Sequence, residues 1–202
     1  MPVAIAPILI ALASFVLRIT NLGSTKGFIF DEVYYVDGAR DLLKYGVEVS
    51  GSNPEFIVHP PVGKWLIAGG IAIFGDNEFG WRFATALIGT ILILVFARLV
   101  HVLFYSPLLT ALGAALMAFD GLLLVHSRTA LLDLFLTFFI VLGVLLWNRD
   151  RHWWAGLAFG LALGCKWSAI YFIAVIALIS LYRILVNICL LYTSPSPRDR
   201  QK

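Results

Sequence analysis

The sequence predicts an all-α fold: a polytopic bundle of transmembrane helices with an external loop that contains interfacial helices. Composition is the first reason. Of 202 residues, 60% are hydrophobic and 13% charged, with a mean hydropathy of +0.90, well above the apolar share of an ordinary soluble domain. Secondly, several apolar runs approach the roughly 20 residues that span a hydrocarbon core. Thirdly, the charges are segregated. Between residues 24 and 78 stand Asp31, Glu32, Asp37, Asp41, Glu48, Glu55, Asp76 and Glu78 against only Lys26, Arg40, Lys44 and Lys64. Such an acidic loop belongs on the non-cytoplasmic side, because loop Lys and Arg residues favour the cytoplasmic one. The net charge of +3 therefore concerns membrane orientation and does not suggest nucleic acid. Cys165 and Cys189 offer neither a disulfide framework nor a metal-ligand spacing.

Taken in order, Val3 to about Leu17 forms a first span, read as retained and not as a cleaved signal, with Arg18 and Asn21 at its far end where a long side chain can snorkel. The external loop covers about residues 23–79. Within it Val36, Ala39, Leu42 and Leu43 recur at helical spacing opposite Asp37, Arg40, Asp41 and Lys44, the pattern of a helix lying on the interface, and Gly46 ends it. Pro60 and Pro61 hold His59 out of helical geometry, and Pro61 starts the apolar run Val62 to Phe74. At 1.5 Å per residue that run reaches only about 20 Å, which predicts an interfacial or re-entrant helix.

Trp81 and Arg82 open a second span that stays uncharged until Arg98, followed by a short cytoplasmic turn from His101 to Ser106. A third span runs from about Pro107 to His126 with Asp120 inside it, and a fourth from about Ala130 to Trp147 with Asp133 near its start. Arg149, Asp150, Arg151 and His152 make a basic cytoplasmic connection. Trp153 to Tyr182 would measure about 45 Å as one helix. Two short spans turning near Gly164 to Ser168 fit a bilayer better than one long tilted helix. The membrane part thus covers residues 1–186. Residues 187–202 end in a Ser-, Pro- and Arg-rich stretch without apolar periodicity and read as a non-native tail, although its basic character would also suit a cytoplasmic loop.

The chemistry concentrates in Phe30-Asp31-Glu32-Val33-Tyr34-Tyr35 and the following His59-Pro60-Pro61. Adjacent carboxylates cannot point at one spot from either helical or extended backbone, so Asp31 and Glu32 have different tasks. One can accept a proton from an attacking hydroxyl while the other orients a partner. Against this stands the plain alternative of a solvated loop. Arg82, Arg128 and Lys166 fall at span ends on the acidic-loop side, where together they can hold a lipid phosphate or pyrophosphate, or singly snorkel to headgroups. Asp120 lies eight residues from Arg128, close to one face of a continuous helix, which suggests an internal pair. His59 is a candidate for contact with phosphate or acceptor, or a plain hydrogen bonder.

These residues carry a resemblance. Phe30-Asp31-Glu32-Val33-Tyr34-Tyr35 after the first span, His59-Pro60-Pro61-Val62-Gly63-Lys64, Ser127-Arg128 followed by Leu131-Leu132-Asp133, and Gly164-Cys165-Lys166-Trp167-Ser168 resemble, in order, the N-terminal part of a protein O-mannosyltransferase over about residues 15–183. The resemblance implies the type C glycosyltransferase membrane fold and a bacterial cell-membrane protein. It implies transfer of mannose, with inversion, from a polyprenyl-phosphate-mannose donor to Ser or Thr hydroxyls of exported proteins outside the cytoplasm. Asp31 would be the catalytic base, Glu32 its support, and Arg82 and Lys166 the holders of the carrier phosphate, with Arg128 a weaker third. His59, Tyr35 and Asp120 are further substrate-binding candidates. No nucleotide sugar, metal or other cofactor is implied. Family members continue through further spans and a second large external loop beyond this chain. Another lipid-phosphate-sugar transferase, such as one moving aminoarabinose onto lipid A, is the nearest rival. A membrane transporter is the rival from another class.

Overall fold

The computed structural model describes residues 5–50, 53–54 and 58–193. Among them the elements are α1 (Ile5–Ile19), α2 (Glu32–Tyr45), the two-residue strands β1 (Val49–Ser50) and β2 (Asn53–Pro54), α3 (Val62–Phe74), α4 (Glu78–Phe104), α5 (Pro107–Phe119), α6 (Gly121–His126), α7 (Leu132–Trp147), α8 (His152–Cys165) and α9 (Ala169–Thr193). The architecture is the expected all-α bundle. The strands form one antiparallel hairpin, with Val49 opposite Pro54 and Ser50 opposite Asn53. A first compact unit ends at Trp167, and a second begins at Ser168.

In the first unit α4 is the central post. Its 27 residues make it about 40 Å long, and α1, α3, α5 and α7 all pack against it, while α2 lies on α3 and α8 on α7. The helix exceeds the expected span at both ends. Asn77 caps its start by accepting from the backbone N–H groups of Phe79 and Gly80, which satisfies donors that would otherwise be orphaned. At the other end Tyr105, at φ 50°, and Pro107 stop it, so the connection shrinks to Tyr105 and Ser106.

Close helix contact depends on small residues. A Cβ on Gly70 would run into the Gly80 carbonyl oxygen, which is how α3 and α4 approach backbone to backbone. Gly63 sits likewise against Leu132, and Gly164 against Val62. The core around them joins Val36, Ala39, Ile67, Trp81, Leu132, Phe135 and Cys165, taking one stripe from each of five helices. For α2 this differs from the surface-lying helix expected. Val36 and Ala39 are fully buried while Leu43 is half exposed, because α3 covers the apolar stripe. Gly46 ends the helix at φ 76° as its position predicts.

Two other expectations change. Arg18 does not snorkel: it is fully buried, bonded to Ser14, in space left by Gly89, where a Cβ would stand 3.4 Å from Nε. The third span is not one helix. Asp120 takes extended backbone and caps α6, accepting from Leu123 N–H at 2.7 Å, so it divides α5 from α6. The apolar segment after residue 152 does break near Lys166, as two spans require, but α9 alone is 25 residues long. α9 runs on to Thr193. The rest of the expected tail lies outside the described residues.

Gly69 and Gly70 are adjacent, yet a Cβ on Gly69 meets nothing within 4 Å. Gly70→Ala is expected to lower stability by about 1–3 kcal/mol, whereas Gly69→Ala holds or raises it through helix propensity. Thermal unfolding in detergent checks the contrast.

Candidate active site

The two acidic neighbours part company at a backbone turn. Phe30 adopts φ 54°, a conformation uncommon for a bulky residue, and the chain then enters α2. Asp31 occupies the cap position without capping through its side chain, so its carboxylate stays available and half buried. Glu32, the first helical residue, turns inward to 0% exposure. Its Oε1 accepts from Arg82 Nε at 2.8 Å and from the Ala130 backbone N–H at 2.7 Å. Its Oε2 accepts from Arg82 Nη2 at 2.7 Å and from the Ile29 N–H at 2.8 Å. Arg82 is equally committed, for Nη1 donates to Thr25 and Leu22 carbonyl oxygens and Nη2 also to that of Gly27. Every guanidinium N–H therefore has a protein acceptor. The pair ties α2 to α4, the 22–30 loop and the start of the α7 segment.

Asp31 lines a cavity of about 660 Å³ together with Tyr34, Tyr35, Glu48, His59 and Lys64 among others. The Tyr35 phenol donates to Asp31 Oδ2 at 3.4 Å, and its ring lies 6.0 Å from that of His59. Burial first, then the negative charges of Asp31 and Asp133, push the Tyr35 pKa up and keep the phenol protonated. His59 is shifted down from the ordinary histidine value, by burial and then by Lys166 and Lys64, with Asp133 and Asp31 opposing. It is thus neutral around pH 7. The charges that act on His59 belong in part to two ion pairs. Lys64 pairs with Glu48, both at most 6% exposed, with Gly38 leaving the room: a Cβ there would be 2.7 Å from Glu48 Oε2. Lys166 Nζ donates to Asp133 Oδ1 at 2.8 Å, and both side chains remain partly exposed.

The local reasons are legible in the packing. Gly63 lets the start of α3 close on Leu132, and Gly164 lets the end of α8 close on Val62. The His-Pro-Pro-Val-Gly-Lys stretch is thereby brought against both the residue before Asp133 and the turn that holds Lys166.

The three cations expected to act together are engaged separately. Arg82 belongs to Glu32. Arg128 donates through Nη1 to the carbonyl oxygens of Leu17, Arg18 and Thr20 at 2.7–2.9 Å, closing the C-terminal end of α1 as a cation does. Lys166 alone of the three reaches the neighbourhood of His59. Asp120 does not pair with Arg128; with His126 and Asp133 it lines a second cavity of about 400 Å³. Asp133 stood out in the sequence as a charge near the start of an apolar span, whereas Lys64 and Glu48 were not singled out. For Lys64 the signal was present in motif membership. Glu48 lies in an acidic loop with nothing to distinguish it.

Fold and site together define an all-helical membrane protein with a polar pocket in which carboxylates, a histidine, tyrosines, a lysine and an arginine meet beside apolar helices. The chain belongs to the dolichyl-phosphate-mannose-protein mannosyltransferase family, whose model matches residues 58–194. It is 41% identical over 201 residues to a polyprenol-phosphate-mannose–protein mannosyltransferase of Mycobacterium tuberculosis, covering 82% of this chain and 38% of the relative. Proteins of the same description from Mycolicibacterium smegmatis and Corynebacterium glutamicum are 37% and 33% identical, over 84% and 86% of this chain and 39% and 41% of theirs. The chain therefore spans about two-fifths of the length of these relatives. No solved structure matches it.

Removing one partner of a buried ion pair strands the other. Arg82→Met and Glu32→Gln are each expected to cost about 3–5 kcal/mol, with the double variant losing much less than the sum. Thermal unfolding of the four proteins reads this cycle. For His59, a folded-state pKa below the unfolded value of 6.5 means that the unfolded chain binds the proton first. Its contribution to stability is present above about pH 6.5 and lost as pH falls further. Melting temperatures measured from pH 7.5 down to 5 should decline less steeply in His59→Gln.

Proposed function

We propose that this chain forms the donor and base side of an inverting mannosyltransferase, which moves mannose from a polyprenyl-phosphate carrier to Ser or Thr hydroxyls of exported proteins. The observation that carries the reading is Asp31. It is a half-buried carboxylate that makes no ion pair among the described residues and lines an open cavity beside the Lys166–Asp133 pair. The curated relatives' names give the donor as polyprenol-phosphate-mannose and the acceptor as protein.

In this reaction Asp31 accepts the acceptor hydroxyl proton as its oxygen attacks the sugar C1. The C1–O bond to phosphate breaks, and that electron pair leaves on the carrier phosphate. An ordinary carboxylate suffices as base when deprotonation accompanies bond formation. Lys166 meets the charge that develops on phosphate; its partial exposure leaves it able to exchange Asp133 for a stronger anion. Arg82, expected above as a phosphate ligand, is reassigned: reaching phosphate would break five protein hydrogen bonds and strand Glu32, so its task is to hold Glu32, and through Glu32 the turn that presents Asp31. His59, neutral, is available to hydrogen-bond phosphate or acceptor.

The protein is read as a multi-pass bacterial membrane protein with this site on the non-cytoplasmic side. The acidic loop and the opposite basic connection at Arg149 to His152 support that orientation. The transporter alternative is not favoured, because the matched family and the named relatives are transferases.

The test expresses the complete reading frame in a strain without its own protein mannosylation and measures mannose transfer to a Thr-containing peptide. Asp31→Asn is expected to lower kcat about 10²–10⁴-fold. Lys166→Ala is expected to raise the donor KM or lower kcat, while Arg82→Met should lose folded protein instead. Undiminished transfer by Asp31→Asn would remove the base assignment.

A further inference from the structure

We propose that Glu48 is a specificity-determining residue for the acceptor, its second carboxylate oxygen taking an N–H of the acceptor peptide next to the hydroxyl that receives the sugar. The inference rests on the reading of Asp31 as base. Glu48 is 5% exposed and lines the cavity that Asp31 opens into. Oε2 is bound by Lys64, but Oε1 has no hydrogen-bond partner among the described residues. A buried carboxylate oxygen without a donor is expensive, and it is the kind of vacancy that a ligand's donor fills.

Two arguments identify that ligand as the peptide and not the sugar. The first is stereochemical. Inversion needs the attacking oxygen and the leaving phosphate on opposite faces of C1. The phosphate is assigned to Lys166, beside Asp133. Neither of these lines the large cavity among the described residues, whereas Asp31 and His59 do. The cavity beyond Asp31, walled by α2 and the β1 segment, is therefore the space left for the attacking partner. The second argument is chemical. Val49 and Ser50, which follow Glu48 directly, line the same cavity in extended backbone, beside which an extended peptide can lie and bring its own N–H groups. The lining also holds the carboxylates of Asp31, Asp37, Asp41 and Glu48 against the cations Arg40 and Lys64, so acceptors with Lys or Arg beside the target hydroxyl should be preferred over those with Asp or Glu.

The experiment uses the complete protein in nanodiscs with a labelled Thr-containing peptide and polyprenyl-phosphate-mannose. In Glu48→Gln, Lys64 keeps the amide oxygen and the NH₂ group takes the place of Oε1, setting donor against donor. Glu48→Asp retains the charge and withdraws the oxygen by one methylene. Both are expected to raise the acceptor KM, and the dissociation constant of the peptide measured by anisotropy without donor, by about tenfold or more. The donor KM should stay within about twofold. A rise confined to the donor KM would reassign Glu48 to the sugar. Unchanged acceptor KM and peptide affinity in folded Glu48→Asp would leave it a structural partner of Lys64, and either result overturns the proposal. Glu48-dependent peptide binding without mannose transfer would instead sink the mannosyl reading and leave the acceptor site standing. Transfer that is indifferent to Glu48 sinks this inference alone.

Discussion

Arg82 and Glu32 meet with no exposed surface on either residue, and what surrounds the candidate base is arranged by that meeting. A buried ion pair is weak evidence of net stability, because desolvation offsets most of the attraction. Its value here is geometric. Four acceptor directions on one carboxylate and five donors on one guanidinium are used, and their partners come from α2, α4, the loop after α1 and the backbone before α7. No apolar contact can impose so many directions at once. Because the pair is satisfied only when all four segments are in place, the turn at Phe30 has one position relative to the bundle, and so has Asp31.

The division of labour between adjacent carboxylates follows from the same arrangement. Entry into a helix rotates successive side chains by about 100°, so if Glu32 points into the bundle Asp31 points along its surface into the cavity. One acid becomes structural by finding every partner it can use. Its neighbour stays chemically available by finding almost none. Tyr35, one turn further along α2, carries the one side-chain donor to Asp31 among the described residues, and burial together with the neighbouring carboxylates keeps its phenol protonated.

Glycines supply the complementary constraint. Gly38, Gly63 and Gly164 stand where Lys64, Leu132 and Val62 need space, so each brings a charged group of the site to its place without contributing an atom to the chemistry. In a membrane, where lipid is as apolar as the core, close backbone approach supplies contact that hydrophobic burial cannot.

Much of this was legible in the amino-acid sequence. Apolar run length and charge segregation specify an all-helical membrane protein, because a helix alone satisfies its backbone in lipid. The Pro-Pro start of α3, the Gly46 stop of α2 and the break at Lys166 follow from local geometry. The separate roles of Asp31 and Glu32 follow from adjacency. Pairing was not legible, because it depends on segments far apart in the chain. Arg82, Arg128 and Lys166 look alike as cations at helix ends, yet tertiary contact gave the first to Glu32, the second to the end of α1 and the third to Asp133. Asp120 looked like an intramembrane charge until backbone geometry made it a cap. Glu48 became distinguishable only when folding buried both its oxygens in a residue that lines the cavity, pairing one with Lys64 and leaving the other without a partner among the described residues. Sequence by itself determined which residues are apolar, helical and charged; only the packing decided which charges neutralise each other and which remain free to act.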